Sequence, residues 1–476
     1  MLSKERSLQQ RRKRMRQTTG IAPANAPERF APIQKTDCEG FYRRDFIKAG
    51  VLGLFGLSLT DLFRMKATAN PTTEAHGETV SQSLAAEGTA KSVILLWLGG
   101  GPSHLDMWDL KPEAPEEIRG LFKPISTNVP SIQISEHMPK LAQQMDKLCI
   151  IRSMTSPEAA HERGTHYMMT GYQPLPGFAV PGYGAVVSKL KEQRSALPPY
   201  IAVPAPVAYG GGGFLGASLA PFSPGGNPAN KNFKVRDLQP PKGISFERVE
   251  RRRSLRQAVD AAFKKYETGN PTAKAVDNFY TAAYNLMSSS DARAAFELNN
   301  EPGSMRDAYQ RNSFGQSCLL ARRLVEAGVN FVTVSNGGWD NHNSIFSTLP
   351  GKLSQFDRTV ATLVDDLGNR GLLDTTLVIA MGEFGRTPVI NRNGGRDHHS
   401  RVFSIMLAGG GVQGGQVIGA SDPSGMEPAE TPVRPEDLSA TIYQSLGIDY
   451  NQSLESPDGV RIVLSRGGRP VRGVLA

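Results

Sequence analysis

Short, nearly unbroken apolar runs recur along the body of this sequence and restrict its fold more than any other feature. Lys91-Ser-Val-Ile-Leu-Leu-Trp-Leu98 is one, and it ends in Gly99-Gly100-Gly101. Others lie at 148–151, 200–203, 329–334, 376–381 and 402–407. A short run that is apolar at both alternating positions leaves no face for solvent, so it reads as a strand buried on both sides. Helical spacing of apolar residues fills the intervals at 138–146, 183–193, 304–327, 352–369 and 435–446. Strands alternating with helices predict an α/β fold, a large and mostly parallel sheet with helices on both faces.

Charge separates this body from what precedes it. The 476 residues carry a formal net charge of +9. Residues 1–69 hold 14 Lys and Arg against 6 Asp and Glu, so they account for +8 and leave the rest near neutral. The basic excess therefore does not describe a nucleic-acid-binding surface on the body, because neither aromatic interleaving nor a basic face continues from it into the body. Three cysteines, with no C-x-x-C pair, exclude a disulfide framework and a thiolate zinc site.

Within 1–69, Arg43-Arg44-Asp45-Phe46-Ile47-Lys48 precedes the Gly-rich apolar run 49–57 and the small residues Ala67-Thr68-Ala69. That order is that of an export signal. Asp61 and Arg64 interrupt the run, which is too short for a permanent membrane span. The paired arginines resemble a twin-arginine signal, which implies recognition by the twin-arginine translocase and a periplasmic or otherwise extracytoplasmic destination. The chain then divides into this leader, a polar linker at 70–90 and an α/β domain at 91–476. A helical, charged insertion is expected at 245–328, behind a Gly/Pro/Asn-rich loop at 205–240. Gly211, Gly213 and Gly216 fit G-x-G-x-x-G, but no strand leads in and no helix leads out, so no dinucleotide site is expected.

Seven of the eight histidines fall between 104 and 399, mostly in short polar clusters beside the expected strands. One cluster contains His104, Asp106 and Asp109, and a second contains Trp339, Asp340 and His342. A third is Gly382-Glu383-Phe384-Gly385-Arg386, and a fourth is Arg396-Asp397-His398-His399. Open α/β sheets bind ligands at the carboxyl ends of their strands. Imidazole and carboxylate together suit a divalent metal, zinc first, with manganese or calcium as alternatives. A single Asp-His pair reads more often as a turn cap or a hydrogen-bonded pair than as a metal ligand; four such clusters at successive strand ends are much harder to explain as caps. A further segment, His161-Glu162-Arg163-Gly164-Thr165-His166, reads either as the polar start of a helix or as a group that binds or protonates an oxyanion.

Taken in order, GGGPSHLDMWD, HERGTHYMMTGYQP, GGWDNHNS, GEFGRTP and GRDHHSR resemble the motifs of the bacterial domain-of-unknown-function family 1501 over about 91–475. That family is placed in the alkaline phosphatase-like superfamily with sulfatases and phosphoglycerate mutases. The resemblance implies an exported, metal-dependent hydrolase of phosphate or sulfate esters, acting on a small anionic ester or a sulfated or phosphorylated glycan. It implies Asp340, His342, Glu383 and His398 as ligands of one metal, with His104 and Asp106 completing it or holding a second. His399 is the fallback for His398 or a substrate contact. Asp397 belongs with the ligand group or orients one of the paired histidines. Arg386 and Arg163 would pair with anionic oxygens, and His166 would assist catalysis. Counting back from Thr170-Gly171 in the sulfatase pattern puts His161 where a Cys or Ser nucleophile stands. His161 then acts as a nucleophile or as a general acid/base. The same departure raises the alternative of a non-catalytic exported binding protein for anionic glycans on an enzyme-derived fold.

Overall fold

Along β1 (Ser92–Trp97) the side chains alternate between two apolar cores. Ile94 and Leu96 enter one, while Val93, Leu95 and Trp97 enter the other. This is what a strand with no solvent face must do. The computed structural model describes residues 88–235, 248, 251, 252, 254 and 284–476. The leader, most of the linker and much of the expected insertion, including 255–283, lie outside the described residues.

The other strands of the main sheet are β2 (Leu148–Met154), β3 (Tyr200–Val203), β4 (Phe331–Ser335), β5 (Thr376–Met381), β6 (Phe403–Ala408) and β7 (Gln416–Ile418). Their order across the sheet is β7-β2-β6-β5-β1-β4-β3. β1 lies between β4 and β5, parallel to both, with Val93 opposite Phe331 and Leu377. β3 extends the parallel set beyond β4. β6 runs antiparallel to both β5 and β2, and β7 is parallel to β2. Six strands therefore share one direction and β6 opposes them.

Helices cover both faces. α1 (His161–Thr170), α2 (Tyr183–Leu190) and α5 (Pro435–Ser445) bury Met168, Val186, Leu438 and Ile442 in the core of Leu95. α3 (Ser313–Glu326) and α4 (Ile345–Asn369) bury Leu319, Leu320, Leu353 and Val360 in the core of Ile94. The single helix expected over 304–327 is two, Gly303–Ala308 and α3. Between them Gln310 takes φ +66°, and the Asn312 side chain accepts the Gly315 N–H at 2.9 Å, so the chain stops and restarts. Part of the expected insertion is built into this face, since Phe296 and Leu298 are buried in the core of Ile94. Among the described residues, no helix is long and apolar enough to cross a membrane.

Leu95 is fully buried between β4 and β5. Leu95→Ala is expected to destabilise the full chain by about 2–5 kcal/mol, read from denaturant unfolding, because the sheet cannot collapse into the space left.

Candidate metal centre

The loops that leave the carboxyl edge of the sheet carry the polar clusters. Gly99–Gly101 follow β1, Trp339 to His342 follow β4, and Glu383 to Arg386 follow β5. β2 leads through 155–160 into α1, whose first residue is His161. Asp397 and His398 precede their strand, yet they reach the same edge because β6 is antiparallel and starts there. A two-residue ladder, Gly385–Arg386 with His398–His399, fastens that segment to the loop after β5.

Asp340 is placed by its neighbours. Trp339 is fully buried and meets Phe356 of α4 edge-on, with ring centroids 5.8 Å apart. The indole fixes the chain while the Asp340 side chain stays 42% exposed. Gly100, at φ +119°, lets the loop after β1 pass close beneath, since a Cβ there would lie 2.5 Å from the Asp340 amide nitrogen.

Three imidazoles converge on this carboxylate. Oδ1 lies 2.9 Å from His342 Nε2 and 3.2 Å from His398 Nε2, and Oδ2 lies 3.4 Å from His161 Nε2. The Nε2 atoms of His342 and His398 are 3.1 Å apart. Each ring is held from its other nitrogen by a group that accepts. His398 Nδ1 donates to the Ala159 carbonyl at 3.0 Å, His342 Nδ1 to Asp397 Oδ1 at 2.7 Å, and His161 Nδ1 to Glu383 Oε1 at 2.7 Å. Glu383 Oε1 also accepts the Gly100 N–H at 2.9 Å. Holding Nδ1 in this way directs each ring's Nε2 toward Asp340. The Arg386 guanidinium lies at the same place, bonded to Asp340 Oδ1 and with Nη1 3.4 Å from His342 Nε2. Three ring nitrogens gathered about one carboxylate make the mixed N/O set that divalent metals take. Among the described residues, His161, Asp340 and His398 offer ligand atoms all within 4.8 Å of one another. His342 faces the same carboxylate oxygen as His398. The donor set therefore fits a metal ion.

The electrostatics keep these groups available as donors. Burial pushes the Asp340 carboxyl up, but the Arg386 guanidinium, with His398 and His342, reverses this and holds it at about 2. Burial lowers His398 below the ordinary histidine value. The bond from His342 lowers Asp397.

Several residues expected at the site serve it differently or lie apart. Glu383 faces His161 and Gly100, so it holds a ligand ring and is not itself in the converging set. Asp397 likewise holds His342. Arg386, expected to bind substrate, is fully buried and donates to the Gly100, Gly101, Trp339 and Arg396 carbonyls and to Asp340, with Nη1 also 3.4 Å from His342 Nε2. Arg163 is exposed and forks onto Glu158, with Nη2 to Oε1 at 2.8 Å. His399 alternates to the opposite side of its strand from His398 and bonds the Met426 carbonyl at 2.7 Å. His166 donates from Nδ1 to the Tyr172 carbonyl at 2.9 Å. Asp106 is buried in a two-pronged pair with Arg396, at 2.8 and 3.2 Å, and accepts from Ser103. His104 is fully buried beside them, and burial pushes it down to about 3. Ala159, whose carbonyl orients His398, has no side-chain signature by which a sequence could reveal it.

Residues 90–475 match the family described as "Protein of unknown function (DUF1501)". The chain belongs to this family. No curated protein matches it. Among solved structures, this DUF1501 member is similar to a protein in the alkaline phosphatase superfamily from Vibrio parahaemolyticus, at 12% identity and a TM-score of 0.37, over 83% of this chain and 72% of that one. It is also similar to a sulfatase from Pseudoalteromonas sp., at 12% identity and a TM-score of 0.33, over 77% and 68% of the two chains. An alkaline phosphatase from an Antarctic bacterium shares 11% identity at a TM-score of 0.30, over 71% and 96%.

Two predictions follow from the buried charges beside the centre. Arg396→Met strands Asp106 as an unpaired buried carboxylate and is expected to cost about 3–5 kcal/mol, whereas Arg396→Met combined with Asp106→Leu recovers much of the loss. Denaturant unfolding of the two variants compares them. His104 gains a proton more readily when the chain unfolds, so its contribution to stability is full above about pH 6.5 and declines as pH falls toward 3, by roughly 1.4 kcal/mol per unit. His104→Leu is expected to flatten the fall in unfolding midpoint between about pH 7 and about pH 5 relative to the unsubstituted chain.

Proposed function

We propose that this DUF1501 protein is an exported, metal-dependent hydrolase of phosphate or sulfate esters. One observation carries the reading: three imidazole Nε2 atoms, each fixed by an acceptor behind it, face the single carboxylate Asp340. His161, Asp340, His342 and His398 would hold the ion. Three nitrogens and one carboxylate suit zinc or manganese and disfavour calcium, which takes oxygen ligands. When bound, such an ion supplies Lewis-acid polarisation of an anionic ester and a lowered pKa for water.

The chain's own groups prepare the site. Glu383 and Asp397 draw on the Nδ1 protons of His161 and His342, which makes the opposite nitrogens better donors and fixes their direction. Arg386 holds the loops bearing Asp340, Gly100 and Arg396 together, so Asp340 cannot swing away from the imidazoles. With its Nδ1 on Glu383 and its Nε2 toward Asp340, His161 serves here as a ligand in place of a nucleophile. The order of motifs resembles that of family 1501, which is placed in the alkaline phosphatase-like superfamily, and this supports ester hydrolysis as the chemistry. The paired arginines of the leader support export through the twin-arginine translocase to the periplasm.

A second reading draws on the same residue. His161 stands at the nucleophile position of the sulfatase pattern, which favours a non-catalytic binding protein for sulfated or phosphorylated glycans. Hydrolysis of 4-nitrophenyl phosphate and 4-nitrophenyl sulfate by zinc- or manganese-loaded protein separates the two. The hydrolase reading predicts turnover that falls at least about 100-fold in Asp340→Ala, and metal affinity about 10–100-fold weaker in Glu383→Gln. Metal uptake without turnover of either ester would favour the binding protein.

A further inference from the structure

Helix α1 carries two histidines, and only His161 belongs to the proposed centre. His166 follows five residues later, about 7.5 Å further along the helix axis. It lines a separate cavity of about 550 Å³, with Leu175, Phe178, Val180 and Tyr209 among its walls. The volume is that of a small-molecule pocket. Among the described residues that line it, none is Asp, Glu, Lys or Arg.

Two features indicate a built site. The His166 Nδ1 proton is committed to the Tyr172 carbonyl at 2.9 Å, so the neutral ring keeps Nε2 as an acceptor. Tyr209 meets this ring edge-on, with centroids 5.0 Å apart. Tyr209 also holds φ +61°, a conformation that strains a bulky residue, while its side chain remains 42% exposed. Apolar packing does not require an exposed aromatic to be held in that conformation.

We infer that this cavity binds an uncharged, largely apolar ring bearing one hydrogen-bond donor. An anion would enter with no opposite charge to meet it. A pyranose would set several hydroxyls against Leu175, Phe178 and Val180, whose side chains offer no hydrogen-bond partner. A ring with one donor satisfies His166 and leaves nothing polar against the apolar walls.

The probe is 2-naphthol, titrated against the full chain by its fluorescence, with methyl galactopyranoside and inorganic sulfate as comparators. Saturable naphthol binding is expected, tighter than that of either comparator. Tyr209→Gly relieves the backbone strain, so the fold should be at least as stable, yet naphthol affinity should fall tenfold or more. His166→Phe keeps a ring but removes the acceptor, and should weaken binding similarly. Asp340→Ala should bind naphthol like the unsubstituted chain, so failure of the metal centre and failure of this site are distinguishable. Tighter binding of the sugar, no saturation, or unchanged affinity in Tyr209→Gly would overturn the site.

Discussion

Arg386 is a fully buried guanidinium, and the edge of the sheet is organised around satisfying it. Its donors reach the Gly100 and Gly101 carbonyls after β1, the Arg396 carbonyl before β6, and Asp340 after β4. Arg386 itself follows β5. A planar fork with five donors and no acceptor can join several chain segments only if all of them arrive at fixed positions. Loops from four strands are thereby tied at one point. Neutralising a buried arginine is strongly unfavourable, so Asp340 is held as its carboxylate partner. The burial of one side chain thus sets where the carboxylate stands and keeps it ionised.

The imidazoles depend on that carboxylate and on acceptors behind them. A histidine ring has two nitrogens, and tying one to an acceptor decides what the other offers. Ala159, Asp397 and Glu383 make this decision for His398, His342 and His161. The result is a group of ring nitrogens gathered about one carboxylate. The same logic on the other turn of α1 gives His166 a lone acceptor in an uncharged cavity. One helix therefore contributes a histidine to each of two different surroundings, one beside the Asp340 carboxylate and one in an uncharged cavity.

Much of this was legible in the residues. Runs such as 91–98 and 376–381 have no polar face, and both are buried strands of the sheet. The clusters around Asp340 and His398 stand out because short polar loops beside buried strands have few structural reasons to be rich in His and Asp. What could not be read was direction and partner. The run at 402–407 looks the same whether its strand is parallel or antiparallel, yet its reversal is what carries His398 to the edge. His398 and His399 are chemically identical neighbours, and only strand alternation turns one to Asp340 and the other to Met426. Asp106 and Arg386 read as a ligand and an anion clamp because charge is visible in a sequence; their partners, Arg396 and the Gly100 and Gly101 carbonyls, are distant or belong to the backbone. Glu383 was visible as a carboxylate at a strand end, but not as the group behind His161.

The central claim is that the converging Nε2 atoms and Asp340 hold a cation. Metal analysis of the purified full chain tests it most directly, with X-ray absorption to count nitrogen neighbours. About one equivalent of zinc or manganese per chain, bound mainly by nitrogen and lost in Asp340→Ala, is the expected result. Only trace metal, at the same level in the unsubstituted chain and in Asp340→Ala, would contradict it.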